Sequence, residues 1–397
     1  MDYKKMKKVY LDYAATTPVR PEVVEAMCPY WTEKFGNPSS IHSWGREARE
    51  AVEQARAAVA AVLGAEPREV IFTSSVTTSD NLAILGVARA AGKGHLITSQ
   101  IEHHAALDVF HVLEKGGFAV IYLPVGPTGI VDLKALESAI RSETILVSVM
   151  WANNEVGTVE PLEEIVKIVK AQNPKTHVHT DAATIVEYLP INAKKLGVDL
   201  LSLGAHKFGG PKGVGILYLK KGTKIDPITY GGHHEEGLWP GTEPTPLIIG
   251  AAKALELAQL EVRSSKFKVT RLRDKLIKGV LEKIPEAFLT GDPVKRLPDI
   301  ASFRFNGAEG EAILLRLDAE GIAASSGSAC TSGELKPSHV LSAMGIKPEE
   351  THGSVRFSLG RGTTEEEIDY VLEKLPLIIK ELRAIAPQLC VETEELP

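Results

Sequence analysis

Residues 145–182 read ILVSVMWANNEVGTVEPLEEIVKIVKAQNPKTHVHTDA. Ile145 to Met150 is a short apolar run, rich in β-branched residues and without alternation, as a strand buried on both faces should be. A dense polar turn follows, Trp151-Ala-Asn-Asn-Glu-Val-Gly157, and residues 162–170 then take up a helical pattern. His177 to His179 opens a second strand, which leads directly into Thr180-Asp181. Strand, helix and strand at this spacing make the unit from which parallel sheets are built.

The same texture extends in both directions. Val70–Phe72, Leu96–Thr98, Ala119–Leu123, Leu200–Leu203 and Val214–Leu219 read as further buried strands, and residues 133–140 as another intervening helix. Upstream, Ala48, Ala51, Val52, Ala55, Ala58, Val59, Val62 and Leu63 recur at helical spacing and stop at Gly64. These seven strands predict an α/β fold with a mostly parallel sheet covered on both faces. Beyond about residue 245 the pattern turns to long helices around Leu272, Leu276 and Val280, with strands at Ile300–Phe305 and Val355–Leu359. Thr364 and Glu367 have capping-box spacing ahead of a helix whose apolar face carries Ile368, Val371, Leu372 and Leu375. The expected organisation is an N-terminal segment 1–15 packing with the small domain, a large domain 16–250 and a smaller α+β domain 251–397.

The 397 residues are 44% hydrophobic and 24% charged, ample for two packed cores. With 45 basic and 51 acidic residues the net charge is -6, so no global field draws the chain to nucleic acid or an anionic membrane. No stretch approaches the ~18 apolar residues of a membrane span. Three cysteines, Cys28, Cys330 and Cys390, without any CxxC, fit neither a disulfide framework nor a zinc site. The odd count implies a free thiol and a reducing, cytoplasmic setting. Cys28 is expected in the core; Cys390 has no assignable role.

In open α/β sheets ligands bind beyond the carboxyl ends of the strands. After Val70–Phe72 comes Thr73-Ser-Ser-Val-Thr-Thr78 and a helix, which serves either as a phosphate cradle or as a Ser/Thr-rich N-cap. After Leu96–Thr98 comes Glu102-His103-His104, whose adjacent histidines face different ways and are not expected to share a metal. Asp181 needs a cationic partner if buried. After Leu203, Gly204-Ala-His-Lys-Phe-Gly-Gly-Pro-Lys-Gly213 sets Lys207 in a glycine-rich turn open to a flat ligand. A lysine that can lose its proton reacts with an aldehyde, and an acid one strand away can hold a pyridine nitrogen protonated. Phosphate cradle, acid and lysine together describe a pyridoxal phosphate site.

Further markers are Tyr10-Leu-Asp-Tyr-Ala-Ala-Thr-Thr-Pro18, Phe35-Gly-Asn-Pro-Ser-Ser-Ile-His42, Asn153-Asn-Glu-Val-Gly157, His179-Thr-Asp-Ala182, Pro240-Gly-Thr-Glu243, Ser325-Ser-Gly-Ser-Ala-Cys-Thr-Ser-Gly333 and Val355-Arg-Phe-Ser-Leu-Gly-Arg361. With them the chain, from Val9 to about Leu375, resembles the cysteine desulfurases of the NifS and IscS type. These belong to the class V aminotransferase group of fold-type I pyridoxal phosphate enzymes. The resemblance implies conversion of L-cysteine to L-alanine, with the sulfur passed as a persulfide on Cys330 to an acceptor or iron–sulfur scaffold protein, by a cytoplasmic homodimer.

It further implies Lys207 as the cofactor-bearing lysine and base, Asp181 at the pyridine nitrogen, and His103 stacked on the ring. The cofactor set would be Val76, Thr77, His103, Asn154, Asp181, Thr184, Gly204, His206 and Lys207, with Thr242 reaching over from the other subunit. Asn154 and Arg356 would hold the substrate carboxylate, a task suited to arginine's planar fork. No resident metal is implied; only Cys330 would meet a cluster, during transfer. The small-residue run around Cys330 is expected to move, letting a thiolate reach the substrate and leave again.

Several positions depart from the family pattern. Ser75, Val76 and Thr78 stand where it has a glycine, a small residue and a glutamate, Thr184 stands for a glutamine, and Gly204 for a phosphate-binding serine. Glu236 and Trp239 replace two arginines expected near the phosphate. Losing two or three contacts to a dianion, at roughly 1.5–3 kcal/mol each, would weaken cofactor binding by orders of magnitude. Either the site is retuned for another small amino acid, as in a selenocysteine lyase or a cysteine sulfinate desulfinase, or phosphate contacts have moved to groups such as His233 and His234. Those two histidines are equally readable as solvated loop residues. A third reading, a scaffold without cofactor, fits poorly with the retention of Lys207 and Cys330.

Overall fold

The computed structural model describes residues 7–326 and 337–385. All seven expected runs are strands of one sheet, in the spatial order Val70–Thr73, Gly215–Leu219, Leu200–Gly204, His177–Asp181, Thr144–Ser148, His95–Ser99, Ala119–Leu123. Gly215–Leu219 runs antiparallel to both its neighbours; every other pairing is parallel. Successive residues point to opposite faces. Leu96, Leu146, Leu200 and Leu217 pack under the helices Val76–Ala91 and His104–Lys115. Ile97, Val147, Leu201 and Ile216 pack on the other face, where Ser43–Leu63, Leu133–Ala139 and Leu162–Gln172 lie. Unbroken apolar strands therefore reflect helices on both sides.

A second core surrounds the antiparallel sheet Ser354–Ser358, Ile300–Phe305, Ala287–Leu289. The 39-residue helix Thr245–Lys283 joins the two cores. Ile248 to Ala258 are buried in the first, and Val269 to Val280 in the second. The strand Val9–Tyr10 pairs with Ile322–Ala323, bringing the N-terminal segment onto the second core. The helix Ser43–Leu63 ends at Gly64 in the left-handed region (φ 67°), where any side chain would be strained.

Cys28 corrects an expectation. It is exposed rather than core, because the buried stripe of Pro21–Met27 consists of Val23 and Met27, and the next residue turns outward.

Candidate active site

The lysine turn follows Leu200–Gly204 as one tight helical turn, Ala205–Lys207. Gly210 is required there, since a Cβ would lie 2.8 Å from the carbonyl oxygen of Ala205. The turn is braced by the N-terminal segment. Lys207 Nζ donates to the carbonyls of Ala14 (2.6 Å) and Ala15 (3.0 Å). His206 Nδ1 lies 3.2 Å from Thr16 Oγ1, and Thr17 Oγ1 donates to the His206 carbonyl and accepts from Gly209 N–H. Burial and the charges of Lys207 and Lys212 push His206 down to about 4, so it is neutral. Sequence reading missed this bracing role, although the segment Tyr10–Pro18 had stood out as a motif.

Asp181 is the last residue of its strand and is buried. Its Oδ1 accepts from Ala183 N–H (2.8 Å). Burial, then the neighbouring Asp80, raise it to about 7, opposed by that N–H, His179 and Lys207. On the same face lies His179, with Ser148 Oγ 2.8 Å from Nδ1 and Ser202 Oγ 3.0 Å from Nε2. Asp80, from the helix above, brings Oδ1 within 3.5 Å of His179 Nε2. Neither Asp80 oxygen has a partner in hydrogen-bond geometry among the described residues; burial raises the group to about 7, offset in part by Ser202 nearby. Asp80 also escaped sequence reading; its signal is a charged residue at a position that faces the sheet.

His103 caps the helix His104–Lys115, its Nδ1 accepting from Ala105 N–H (3.0 Å). Burial, then Lys207, His104 and His339, lower it to about 4. It is thus a neutral imidazole with its proton on Nε2, able to donate there and to relay a proton. His104 packs against His339, ring centres 4.7 Å apart and planes tilted by 52°.

Three departures from the family pattern have local explanations. Thr78 closes a capping box with Ser75: Ser75 Oγ accepts from Thr78 N–H (3.1 Å) and Thr78 Oγ1 from Ser75 N–H (2.9 Å). Gly204 faces Val76: a Cβ at 204 would sit 3.2 Å from the valine Cβ and 3.4 Å from its Cγ1, so the valine methyl lies against the place where a side chain at 204 would start. Thr184 donates its hydroxyl to the Ala152 carbonyl (3.2 Å). Thr77 is exposed on the first turn of its helix, where amides lack intrahelical partners.

Asn154 and Arg356 do meet, the Asn154 carbonyl accepting from Arg356 Nη1 (2.8 Å). Thr242 is exposed and lines a groove with Thr73, Ser74, Gly213 and Trp239. Trp239 packs half-buried against the core on the side of the sheet covered by Val76–Ala91 and His104–Lys115. Glu236 has φ 58° and lines a hollow with Arg49, Arg56, Arg68, His233 and His234. His234 engages Ser39 Oγ (3.1 Å) and Gly241 N–H (3.3 Å), whereas His233 is exposed. Cys330 and Cys390 lie outside the described residues. On either side of 327–336 the chain is tied to Arg356 and to the 153–157 turn. Ser325 pairs through its main chain with Arg356, and Ser338 Oγ donates to the buried Glu155 (2.6 Å).

The chain is similar over most of its length to known proteins. The profile of the family described as aminotransferase class-V matches residues 9–371. A protein named cysteine desulfurase IscS from Dictyoglomus turgidum is 53% identical over 383 residues, covering 96% of this chain and 97% of its own length. Another of that name, from Methanosarcina thermophila, is 51% identical over 384 residues, covering 96% and 94%. A solved NifS-like protein superposes with a TM-score of 0.90 at 41% identity, covering 95% of this chain and 100% of its own.

Proposed function

The chain belongs to the class-V aminotransferase family, and from that membership and the cleft just described we infer that it is a cysteine desulfurase. L-cysteine plus the thiol of Cys330 gives L-alanine plus a persulfide: the C–S bond of the substrate and the S–H bond of Cys330 break, an S–S bond forms, and one proton ends on the β-carbon as the third hydrogen of the alanine methyl group. The observation that carries the reading is that Lys207 bears on both Asp181 and His103 and is held by the carbonyl of Ala14, two residues from Asp12, which pairs with the Arg356 that meets Asn154.

These residues fit pyridoxal phosphate. Lys207 supplies the amine, Asp181 a buried carboxyl toward the ring nitrogen, His103 a neutral ring for its face, and Thr77, His206 and the first-turn amides of Val76–Ala91 a phosphate seat. When bound, the cofactor withdraws electrons from the substrate α-carbon. Lys207 moves the α-proton, Arg356 and Asn154 orient the carboxylate, and Cys330 accepts the sulfur. The Val76–Gly204 exchange and the Ser75–Thr78 box favour a repacked phosphate seat over a change of substrate.

Sulfur passes from Cys330 to an acceptor or scaffold protein, and the working form is a cytoplasmic homodimer to which Thr242 contributes across the interface. Exposed Trp31, Phe35, Ile41, Trp44 and Tyr230 near the 230–244 loop support a second copy. No helix among the described residues is long and apolar enough to cross a membrane. The proposed division is a large domain 16–250 and a small domain 251–397, with the N-terminal segment 1–15; the helix Thr245–Lys283 is a shared spine, and its residues Ala251 to Ala258 pack in the first core. Incubating the purified chain with pyridoxal phosphate and L-cysteine should yield L-alanine, and the Lys207→Ala chain should yield none. Failure of the unaltered chain to form alanine would overturn the reading.

A further inference from the structure

The guanidinium of Arg356 is held before any substrate arrives. Nη1 donates to the Asn154 carbonyl and Nη2 to Asp12 Oδ1, each at 2.8 Å. The arginine side chain is 7% exposed and that of Asp12 21%. Arg356 Nε is buried with no hydrogen-bond partner among the described residues, where the two terminal contacts are the side-chain hydrogen bonds that orient the guanidinium.

Asp12 is itself fixed. Ser358 N–H donates to the Leu11 carbonyl (2.8 Å), Tyr13 N–H to the Ser358 carbonyl (3.2 Å), and Ala14 N–H to Ser358 Oγ (2.9 Å). The Tyr10 hydroxyl spans the carbonyls of Asp12 and Thr16. The N-terminal segment is therefore laced to the end of Ser354–Ser358, two residues from Arg356, with Asp12 turned toward the guanidinium.

Coulomb's law alone says that Asp12 offsets the arginine's charge and weakens its hold on a carboxylate. Geometry says the reverse. An arginine recognises a carboxylate as a planar fork, and a fork fixed in advance loses little freedom on binding. Without Asp12, a buried Nη2 would be unpaired and the side chain would turn to satisfy it. We propose that Asp12 is a positioning residue for Arg356, holding the guanidinium in the plane that receives the α-carboxylate of the amino-acid substrate. This rests on the reading of Arg356 as the carboxylate-binding residue.

The test uses the full chain with pyridoxal phosphate and compares Asp12→Ala, Asp12→Asn and Arg356→Lys. Asp12→Ala should raise KM for L-cysteine roughly tenfold or more, the scale of one charge-assisted hydrogen bond, while kcat stays within about threefold. Asp12→Asn, which keeps an oxygen acceptor of the same shape, should give a smaller rise of several-fold; it decides the matter if the alanine chain fails to fold. Calorimetric binding of L-alanine should weaken in parallel, whereas binding of cysteamine, which has no carboxylate, should not change. An unchanged or lower KM in the Asp12 variants, with KM raised in Arg356→Lys, overturns the role of Asp12. An unchanged KM in Arg356→Lys overturns the reading of Arg356 beneath it.

Discussion

Gly204 and Val76 show how the site tolerates departures from its family. A serine at 204 would bring its Cβ 3.2 Å from the Cβ and 3.4 Å from the Cγ1 of Val76, tighter than ordinary packing, so the two positions are sterically coupled. Gly204→Ser alone should weaken pyridoxal phosphate binding several-fold. Val76→Ala with Gly204→Ser should recover part of that loss, because alanine removes the Cγ1 contact at 3.4 Å while keeping the Cβ contact at 3.2 Å. Absorbance titration of the cofactor measures both, and additive effects of the two substitutions would contradict the pairing. Lys207 and Asp181 were legible because each sits where a strand gives way to a polar turn, whereas Arg356, in the middle of Ser354–Ser358, was legible only through the family motif Val355–Arg361. Asp12, Asp80 and the Ala14 and Ala15 carbonyls were not. Their meaning lies in partners far along the chain: Asp12 and Arg356 are 344 positions apart, and Lys207 and Ala14 are 193 apart.

Elements were easier to read than contacts. Buried strands have unbroken apolar runs and helix ends have caps, and both signals are local. The box expected at Thr364 and Glu367 forms in both directions, Thr364 N–H to Glu367 Oε2 at 2.8 Å and Glu367 N–H to Thr364 Oγ1 at 3.3 Å. It opens the helix Glu365–Ile385, whose buried face closes the second core. Thr364→Ala should lower unfolding free energy by about 0.5–2 kcal/mol in denaturant titration, without altering KM for L-cysteine. Cys28 was misread because its short helix offers barely two turns from which to infer a face, and the buried pair proved to be Val23 and Met27.

Across the whole molecule, buried acids set the pH response. Burial raises Asp80, Glu155 and Asp181 to about 7, and Glu160 and Asp299 to about 8. Unfolded, these groups lose their protons near pH ~4, so the folded chain holds more protons from there upward and loses stability as pH rises to about 8. His103, His179 and His206, lowered to about 4, act oppositely: the unfolded chain takes up their protons below about 6.5, so their neutrality favours folding as pH rises toward that value. Above about 6.5 only the acids remain, and the melting temperature of the cofactor-free chain should fall between pH ~6.5 and ~8, less steeply in Asp80→Asn. A flat or rising profile would contradict this balance. The double-sided sheet was legible at this scale; the shared spine Thr245–Lys283 was not, because a continuous helical pattern does not show where it leaves one core for another. The central claim is that sulfur from L-cysteine ends on Cys330. Intact and peptide mass measurement after exposure to pyridoxal phosphate and L-cysteine should find the Cys330 peptide heavier by one sulfur atom, with Cys28 and Cys390 unchanged and no addition in Lys207→Ala. Alanine formed with no sulfur on Cys330, and undiminished in Cys330→Ala, would contradict it.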